Sequence, residues 1–392
     1  MTRVALATRI FTPEAAAATF RLAAVVRALV GRGADVDVLT AAPPPGRAPE
    51  DDRHVPGARV RRWPVLRDEA GYVRGYLQYL SFDVPLALRL LTVRRPDVVL
   101  VEPPPTTGAV VRVVTGLRSL VSRRRLPYVY YAADIWSDAS ASTGAPAPVV
   151  AGVRAVERYA LRGARDVIAV SEGVAERVRA LGGRAVRVIP NGIDTDTFAP
   201  DGDRPDAAPD TPFLVYAGTA SEWQGAEVFA RAMRHVVAEE PGARLVFLGQ
   251  GSSWPELRRI AEDLPAGTIE LRPLVPPEEA AAWQRAAAAA LVSVKPGLGY
   301  DFAYPTKVIA ALACGTPVVY AGPGPAAEDL VTHRLGEATA YDETEVAAAI
   351  LRVLRAGGDE EARARRVAWV LAHRSLAATG EGAADVVLAP AP

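Results

Sequence analysis

The chain has 392 residues, of which 50% are hydrophobic and 23% charged, and its formal net charge is zero at pH 7. This composition is typical of a soluble globular protein and excludes a disordered one, and the length favours two domains over one. The single cysteine, Cys314, excludes an internal disulfide, and the lack of a long apolar run or a signal-peptide pattern predicts a cytoplasmic protein.

Segments with strand character alternate with helical segments through the first half of the chain. Strand-helix-strand units of this kind build parallel sheets with helices on both faces. The predicted strands are RVALATRIF, ADVDVLTA, RVRRWPV, PDVVLVEPPP, PYVYYAADIW, DVIAVS and AVRVIPNGID. The predicted helices between them include one that ends at Gly33 and one that runs from Thr106 to about Arg124.

A segment of linker composition, FAPDGDRPDAAPDTP, separates this half from a second series of the same kind. The second series contains the strands FLVYAG, ARLVFLGQG, TIELRPL, AALVSVKP and TPVVYAG. We therefore expect an α/β fold with two Rossmann-like, doubly wound parallel-sheet domains and a cleft between them. The expected boundaries are a first domain over 1–200, a linker over 201–212, a second domain over 213–365, and a C-terminal helix and tail over 366–392. A return of that last segment to the first domain is one interpretation.

The two halves carry opposite charge. Residues 1–200 hold 28 arginines and 19 acidic residues, whereas residues 201–392 hold 17 basic and 26 acidic residues. A basic first domain is typical of contact with an anionic ligand or surface, and the stretch VVRVVTGLRSLVSRRR fits a helix at a membrane surface. Two other interpretations stay open: the opposite charges steer the domains towards each other, or the stretch is an ordinary solvated helix.

Lysine occurs only at Lys295 and Lys307, and the second stands at a predicted helix start. Pro305 precedes Thr306 and Lys307, and Gly315 ends the predicted helix. A helix N-terminus presents free backbone N–H groups and the positive end of the helix dipole, so Thr306 and Lys307 there indicate a diphosphate site. A capped helix with a solvated lysine is the alternative.

Three further turns follow predicted strands. YAGTASEWQG places Thr219 and Gln224 as neutral hydrogen-bonding groups around a glycine turn. LGQGSSWPEL carries Gly249 and Gly251, a weak signal because tight turns use glycine without any ligand. In AADIWSDAS, Asp134 follows a strand, where a carboxylate either orients or deprotonates a hydroxyl or simply caps a loop.

Eight segments carry a family resemblance through their order and spacing: IFTPEAAAATFRLAAVVRALVGRGADVDVLT, RRPDVVLVEPPPTTG, ADIW, ERYALRGARDVIAVSEGVAERVRALGG, RVIPNGIDTDTFAP, LVYAGTASEWQGAEVFARAM, LVFLGQG and YPTKVIAALACGTPVV. With them the chain resembles the GT-B fold glycosyltransferases of family 4, retaining enzymes that move a sugar from a nucleotide diphosphate donor. It looks most like the branch with Pro-Ser/Thr-Lys in the donor helix.

The resemblance implies that the second domain binds the donor and the first binds the acceptor. The residues implied at the donor diphosphate are Gly218, Thr219, Gln224 and Lys307. Gly249, Gly251 and Thr306 are further predicted donor-binding residues. Arg272 and Leu274 are implied beside the base and Glu328 at the sugar. Asp134 is implied at the acceptor, and Lys307 and Asp134 are the implied catalytic groups.

The sequence departs from the family pattern at several of these positions. The two glutamates usual in the family, separated by seven residues, align with Phe302 and Ala310. The arginine and lysine usual in the donor turn align with Thr219 and Gln224, and a glycine pair is replaced by Ala15–Ala18. The positive charge on the diphosphate therefore falls largely on Lys307, and help from Lys295 or from a first-domain arginine such as Arg9 stays open.

These features favour a retaining glycosyltransferase with a UDP- or dTDP-linked sugar as co-substrate and with no metal or other cofactor. The acceptor stays open between a small molecule, such as a secondary metabolite, and a lipid-linked or envelope glycan, and no nucleic acid is expected. The absent glutamates leave open a non-catalytic or repurposed member of the family. The basic first domain leaves open a membrane-surface scaffold, or membrane association of the enzyme.

Overall fold

The computed structural model of the chain describes residues 1–14, 17–43, 55–68, 73, 75–142, 145–298, 300–301 and 303–390. Contacts between residues divide it into two compact units. Unit 1 comprises Met1–Asn191 and Leu376–Pro392, and unit 2 comprises Gly192–Ser375. Unit 1 is therefore built from both ends of the chain.

Most strands are short apolar runs whose residues are buried on both faces, as helix-covered parallel sheets require. The strands of the described residues are β1 (Arg3–Ala7), β2 (Asp35–Ala41), β3 (Arg59–Trp63), β4 (Val98–Val101), β5 (Tyr128–Ala132), β6 (Asp166–Ala169), β7 (Val186–Val188), β8 (Phe213–Ala217), β9 (Arg244–Leu248), β10 (Ile269–Arg272), β11 (Ala289–Ser293), β12 (Val318–Ala321) and β13 (Gly336–Thr339).

Several helices begin at residues whose side chains accept hydrogen bonds from the first free N–H groups, as Ser171, Asp342 and Asp359 do. The helices of the described residues are α1 (Ala17–Gly31), α2 (Tyr76–Thr92), α3 (Pro105–Ser122), α4 (Trp136–Ser142), α5 (Ala147–Gly163), α6 (Glu172–Leu181), α7 (Glu227–Glu239), α8 (Trp254–Glu262), α9 (Pro277–Ala286), α10 (Thr306–Ala313), α11 (Pro325–Thr332), α12 (Glu343–Ala356), α13 (Glu360–His373) and α14 (Leu376–Leu388).

Both sheets are parallel and share one strand order. The order is β3-β2-β1-β4-β5-β6-β7 in unit 1 and β10-β9-β8-β11-β12-β13 in unit 2. The order reverses between β1 and β4 in unit 1 and between β8 and β11 in unit 2. This is the doubly wound Rossmann arrangement, in which ligands bind outside the carboxyl ends of the strands near the reversal.

Helices cover both faces of each sheet. In unit 1, α2, α3, α5 and α6 pack on one face, and α1 and α14 pack on the other. In unit 2, α7, α8 and α12 pack on one face, and α9, α10, α11 and α13 pack on the other. The strand ends that carry functional side chains are thus held between two hydrophobic cores in each unit.

The last helix, α14, belongs to unit 1 and packs against α1. A Cβ on Gly380 would meet the backbone oxygen of Ala24 at 2.5 Å, so glycine permits the close approach of the two helices. Arg32 forms ion pairs with Glu381 at 2.6 Å and with Asp385 at 2.5 Å. The C-terminal segment is therefore an integral part of the first sheet's helical cover.

The predicted fold class of two Rossmann-like parallel-sheet units is confirmed, but the division of the chain differs from the expected boundaries. Residues 192–200, expected in the first domain, lie in unit 2, where Ile193 pairs with Ser375 and Phe198 packs on the core. Residues 366–375 also stay in unit 2, because α13 buries Val370 there. The sequence analysis does not predict α4, α11 and β13.

Candidate functional site

A pocket of about 340 Å³ opens in unit 2 at the carboxyl ends of its central strands. Ala217 at the end of β8 and Leu248 at the end of β9 contribute to its lining, and so does the first part of α10. This is the position at which doubly wound sheets bind ligands. The other lining residues are Ile193, Phe198, Gly218, Thr219, Gln224, Leu274, Val275, Ala280, Gln284, Thr306, Lys307 and Ala310.

Lys307 is the charged residue of this lining. Its ammonium nitrogen lies 2.7 Å from the hydroxyl oxygen of Tyr216 and 2.6 Å from the backbone oxygen of Thr219. It also lies 3.9 Å from the centre of the Tyr216 ring. Since an ammonium group has three donors and these two partners are neutral, the contacts described leave Lys307 a donor and an uncompensated charge.

Burial lowers the pKa of the Lys307 ammonium to about 7. Desolvation is the cause of this lower pKa, and no carboxylate of the described residues raises the pKa again. A desolvated cation without a counter-charge costs free energy that an anionic ligand beside it would offset. The pocket is therefore suited electrostatically to an anion.

The start of α10 adds to this suitability. Pro305 is the N-cap residue, and no side chain of the described residues caps the first N–H groups of the helix. Thr306, the first helical residue, is exposed and lines the pocket beside Lys307. Free N–H groups and the helix dipole favour an anion at this end.

The turn after β8 is shaped by its own polar side chains. The amide oxygen of Gln224 accepts hydrogen bonds from the backbone nitrogen of Ser221 at 3.0 Å and from its hydroxyl at 2.9 Å. The Ser293 hydroxyl, at the end of β11, donates to the backbone oxygen of Gln224 at 2.5 Å. Gln224 therefore holds the turn in shape, and it also lines the pocket with Gly218 and Thr219.

The predicted glycines Gly249 and Gly251 pack closely against the turn after β8 and are not among the pocket's lining residues. A Cβ on Gly249 would meet the backbone oxygen of Gly218 at 2.0 Å. A Cβ on Gly251 would meet the backbone oxygen of Ala220 at 2.1 Å. Both glycines thus permit close approach of the turns after β8 and β9, which accounts for the Gly-x-Gly without any ligand.

The structure separates the two residues predicted beside the base. Leu274 is 57% exposed and lines the pocket. Arg272 is not among the lining residues: its guanidinium pairs with Glu270 at 2.7 Å and stacks over Trp283 at 4.7 Å. Glu328, predicted at the sugar, is exposed in the first turn of α11 and is also absent from the lining.

Ala310 lines the pocket of unit 2, whereas Lys295 lies outside its lining. Ala310 lines the pocket where the family resemblance implies a glutamate. Lys295 pairs with Glu227 at 3.5 Å, and its backbone nitrogen donates to the backbone oxygen of Trp223 at 2.8 Å. These contacts give Lys295 a role in attaching the turn that carries Gln224. Phe302 lies outside the described residues, as do Ala15 and Ala16.

Sequence reasoning does not identify several residues that line the pocket or hold its lysine in place. Tyr216 looks like an ordinary strand residue, yet it supplies the hydroxyl that holds Lys307. Gln284 lies on α9 and is only 3% exposed, and its amide oxygen has no hydrogen-bond partner among the described residues. The sequence feature that could have indicated Gln284 is a single glutamine in the alanine-rich stretch AAAWQRAAAA. The sequence does not identify Ile193 and Phe198, because the expected boundary at residue 200 places their segment in the first domain.

In unit 1, Asp134 is exposed just beyond the carboxyl end of β5, as predicted for its position. The helix that follows it, α4, is fixed by Glu157, whose carboxylate accepts hydrogen bonds from the backbone nitrogens of Trp136 at 2.7 Å and Ser137 at 3.1 Å. The segment that carries Asp134 is therefore anchored at its helical end.

A buried polar cluster lies near the strand-order reversal of unit 1. Glu102 accepts hydrogen bonds from Arg21 at 2.6 Å and from the Thr8 hydroxyl at 2.9 Å. Arg9, only 7% exposed, donates to the backbone oxygen of Val73 at 2.6 Å. Its guanidinium lies 4.6 Å from the Tyr79 ring centre, and burial lowers the pKa of Arg9. This cluster is a second polar centre, built on β1 and β4.

The matched domain families agree with this two-sheet architecture and define the chain's class as glycosyltransferase. Residues 17–192 match the glycosyl transferase 4-like domain, and residues 211–356 match the glycosyl transferases group 1 domain. Between them the two models cover most of the chain. The chain belongs to the GT-B glycosyltransferases, with a family 4-like first unit and a group 1 second unit.

Curated relatives match over shorter regions. A D-inositol 3-phosphate glycosyltransferase of Xylanimonas cellulosilytica is 30% identical over 155 residues, covering 36% of this chain and 35% of that protein. A GDP-mannose-dependent alpha-(1-6)-phosphatidylinositol monomannoside mannosyltransferase of Mycolicibacterium smegmatis is 31% identical over 196 residues, covering 47% and 49%. The chain therefore matches only about half, or less, of the length of these relatives.

Solved structures match over nearly the whole length. Sucrose-phosphate synthase from Thermosynechococcus elongatus has a TM-score of 0.66 at 18% identity and covers 98% of both chains. Anabaena HepE in complex with UDP has a TM-score of 0.65 at 17% identity, covering 98% of this chain and 99% of that one. At these identities the likeness establishes the fold alone.

Proposed function

We propose that the chain transfers a glycosyl group from a nucleotide diphosphate sugar to an acceptor hydroxyl, with retention of the anomeric configuration. Unit 2 binds the donor in the pocket beside α10, and unit 1 binds the acceptor. UDP- and dTDP-sugars are the proposed donors, and the GDP-mannose named for the mycolicibacterial relative adds a third candidate.

The observation that carries this proposal is the charge of Lys307 in the pocket. Its hydrogen-bond partners, the Tyr216 hydroxyl and the Thr219 backbone oxygen, are neutral. The uncapped start of α10 lies beside it. A diphosphate supplies the negative charge and the acceptor oxygens that this arrangement favours.

The proposed reaction exchanges one bond at the anomeric carbon for another. The bond to the terminal phosphate oxygen breaks, and a bond to the acceptor oxygen forms. The nucleoside diphosphate leaves with the bonding electrons, so negative charge grows on its terminal oxygen. Lys307 and the first N–H groups of α10 stabilise that charge, and the proposal requires no metal ion.

The acceptor hydroxyl loses its proton in the same reaction. We propose Asp134 as the carboxylate that orients this hydroxyl and takes up the proton. The acceptor classes proposed are a small molecule and a lipid-linked or envelope glycan. The inositol 3-phosphate in the name of one relative makes a phosphorylated polyol a useful first acceptor to test.

A second candidate function is a repurposed member that binds a nucleotide but transfers no sugar. The observation that favours it is Ala310, which lines the pocket where the family resemblance implies a carboxylate for the ribose. Without that carboxylate, the ribose hydroxyls require other partners.

The test is a panel of UDP-, dTDP- and GDP-sugars, with mass-spectrometric detection of nucleoside diphosphate release and NMR of the product's anomeric proton. Thermal unfolding with the same nucleotides is measured in parallel, since a ligand at a hundred times its Kd adds about 2.7 kcal/mol to the free energy of unfolding. We expect one nucleotide to stabilise the protein and its sugar to be transferred, unaffected by EDTA. Stabilisation without transfer to any acceptor supports the repurposed member, and no stabilisation by any nucleotide contradicts the donor pocket.

A further inference from the structure

The outer sides of α2 and α3 in unit 1 expose an unusual number of large apolar side chains. Among the described residues, nine of the nineteen exposed large hydrophobic side chains lie on these two helices, each 40% to 79% exposed. Soluble proteins usually scatter such side chains singly, so their concentration marks a contact surface. The nine residues, here called the α2–α3 face, are Leu77, Leu80, Val84, Leu88, Leu91, Val113, Leu117, Leu120 and Val121.

Their spacing places them on one side of each helix. Intervals of three and four residues link Leu77 to Leu91 along α2, and intervals of the same kind link Val113 to Val121 along α3. The opposite sides of both helices, represented by Leu86 on α2 and Val111 on α3, enter the same core. Both apolar stripes therefore point away from the same face of the sheet.

The two helices form one continuous surface because they are tied together along their length. The Thr107 hydroxyl donates to the Asp83 carboxylate at 2.6 Å. Arg118 donates to the backbone oxygen of Val93 at 3.1 Å, and Arg95 donates to that of Arg124 at 2.6 Å. The last two contacts also bring the basic ends of the helices together.

The charge around this surface is of one sign. Arg94, Arg123, Arg124 and Arg125 are exposed at the carboxyl ends of α2 and α3. The acidic residues between Tyr76 and Arg125 are Asp83, Asp97 and Glu102. Asp83 and Glu102 are only 2% and 6% exposed. Asp97 is exposed, and its carboxylate accepts a hydrogen bond from the backbone nitrogen of Arg3 at 2.8 Å. The exposed side of this segment is therefore strongly basic.

We propose that the α2–α3 face docks on an anionic lipid bilayer. The apolar stripes enter the boundary between headgroups and acyl chains, and the arginines at the helix ends contact lipid phosphates. The protein lies on the bilayer rather than crossing it, since none of the described helices is long and apolar enough to span a membrane. Charge complementarity favours a bilayer over a second copy of the chain. Between Tyr76 and Arg125, the described residues of another copy offer the four exposed arginines one exposed carboxylate, Asp97, which already accepts a hydrogen bond from Arg3.

The test is flotation of the full chain with phosphatidylcholine vesicles, with and without phosphatidylglycerol, at low and high salt. No donor or acceptor is present, so the result is independent of the proposed transfer reaction. We expect binding only to vesicles that contain phosphatidylglycerol and release at high salt. A variant with Leu88→Ser and Leu120→Ser should lose binding, whereas the matched variant Val331→Ser with Leu371→Ser, exposed apolar positions in unit 2, should keep it.

A second variant tests whether the exposed arginines contribute to binding of anionic vesicles. Because each basic residue near an anionic surface contributes about a fivefold factor in affinity, Arg124→Glu with Arg125→Glu should weaken binding by more than about twentyfold. The control Arg234→Glu with Arg258→Glu makes the same change in net charge on exposed helix positions of unit 2. Circular dichroism checks that each variant is folded.

Three results would overturn the proposal. The first is failure of the folded wild-type protein to bind anionic vesicles. The second is equal binding to neutral and anionic vesicles. The third is a dimer in sedimentation velocity that Leu88→Ser with Leu120→Ser dissociates while vesicle binding stays unchanged, which would assign the face to self-association.

Discussion

The Tyr216 hydroxyl oxygen lies 2.7 Å from the ammonium nitrogen of Lys307, and the same hydroxyl donates a hydrogen bond to the backbone oxygen of Thr219 at 3.0 Å. One phenol therefore joins the start of α10 to the turn after β8. The Tyr216 ring is fully buried and packs against Phe229 and Phe247, with ring centres 6.3 and 5.3 Å away. Core packing, rather than a counter-ion, thus positions the charge of the pocket.

Replacing Lys307 should remove affinity for nucleoside diphosphates. A hydrogen bond to a charged group contributes about 1.5–3 kcal/mol, so Lys307→Met should raise the Kd by roughly ten- to a hundredfold in isothermal titration calorimetry. Lys295→Met is the matched control, because that lysine pairs with Glu227 and is not among the pocket's lining residues. Equal losses in the two variants would show that Lys307 has no specific part in binding the diphosphate.

The pKa of Lys307 predicts how the stability of the free protein depends on pH. The ammonium has an ordinary pKa of 10.5, and burial lowers it to about 7 in the folded state. Between these values the unfolded state binds more protons, so the contribution of this group to the free energy of unfolding rises with pH. Below about pH 7 both states are protonated and the burial cost is largest.

Urea unfolding of the wild type and Lys307→Met, from pH 6 to about pH 10, measures this contribution as a difference in which other titrating groups cancel. We expect the stability of the wild type relative to the variant to rise steadily above pH 7. Parallel curves for the two proteins would mean that the folded lysine titrates in its ordinary range.

The close approach at Gly249 predicts a strong effect of a single methyl group. A Cβ there would meet the backbone oxygen of Gly218 at 2.0 Å, so Gly249→Ala must displace the turn that lines the pocket. We expect a loss of about 2 kcal/mol or more in stability, as for other overpacked sites, together with weaker nucleotide binding. Gly242→Ala is the control, since its Cβ would have no atom within 4 Å. A Gly249→Ala protein as stable as the control would contradict the described packing of the two turns.

Local signals and distant packing explain why sequence reasoning found some site residues and missed others. The proline before Thr306 and the glycine after Cys314 mark α10 locally, so the position of Lys307 could be predicted. The contact between Lys307 and Tyr216 joins positions far apart in the chain, and only the folded sheet brings them together.

The difference between the expected domain boundary and the division of the structure into units has a similar origin. The proline- and aspartate-rich composition after residue 198 indicated a linker, but composition does not show where a chain packs. Ile193 and Phe198 pack on the core of unit 2 and line its pocket. A segment's unit is decided by such long-range contacts rather than by its own sequence.

Gln284 offers a test that separates binding from stability. It is 3% exposed and lines the pocket, and its amide oxygen has no hydrogen-bond partner among the described residues. An unpaired buried polar atom costs about 1–3 kcal/mol, so Gln284→Leu should leave the free protein equally stable or more stable in urea unfolding. If the nucleotide supplies the missing partner, the same variant should bind it about tenfold more weakly. Gln250→Leu, an exposed position on the neighbouring turn, should change neither quantity. A Gln284→Leu protein that loses stability but binds the nucleotide normally would assign the glutamine to the core and not to the ligand.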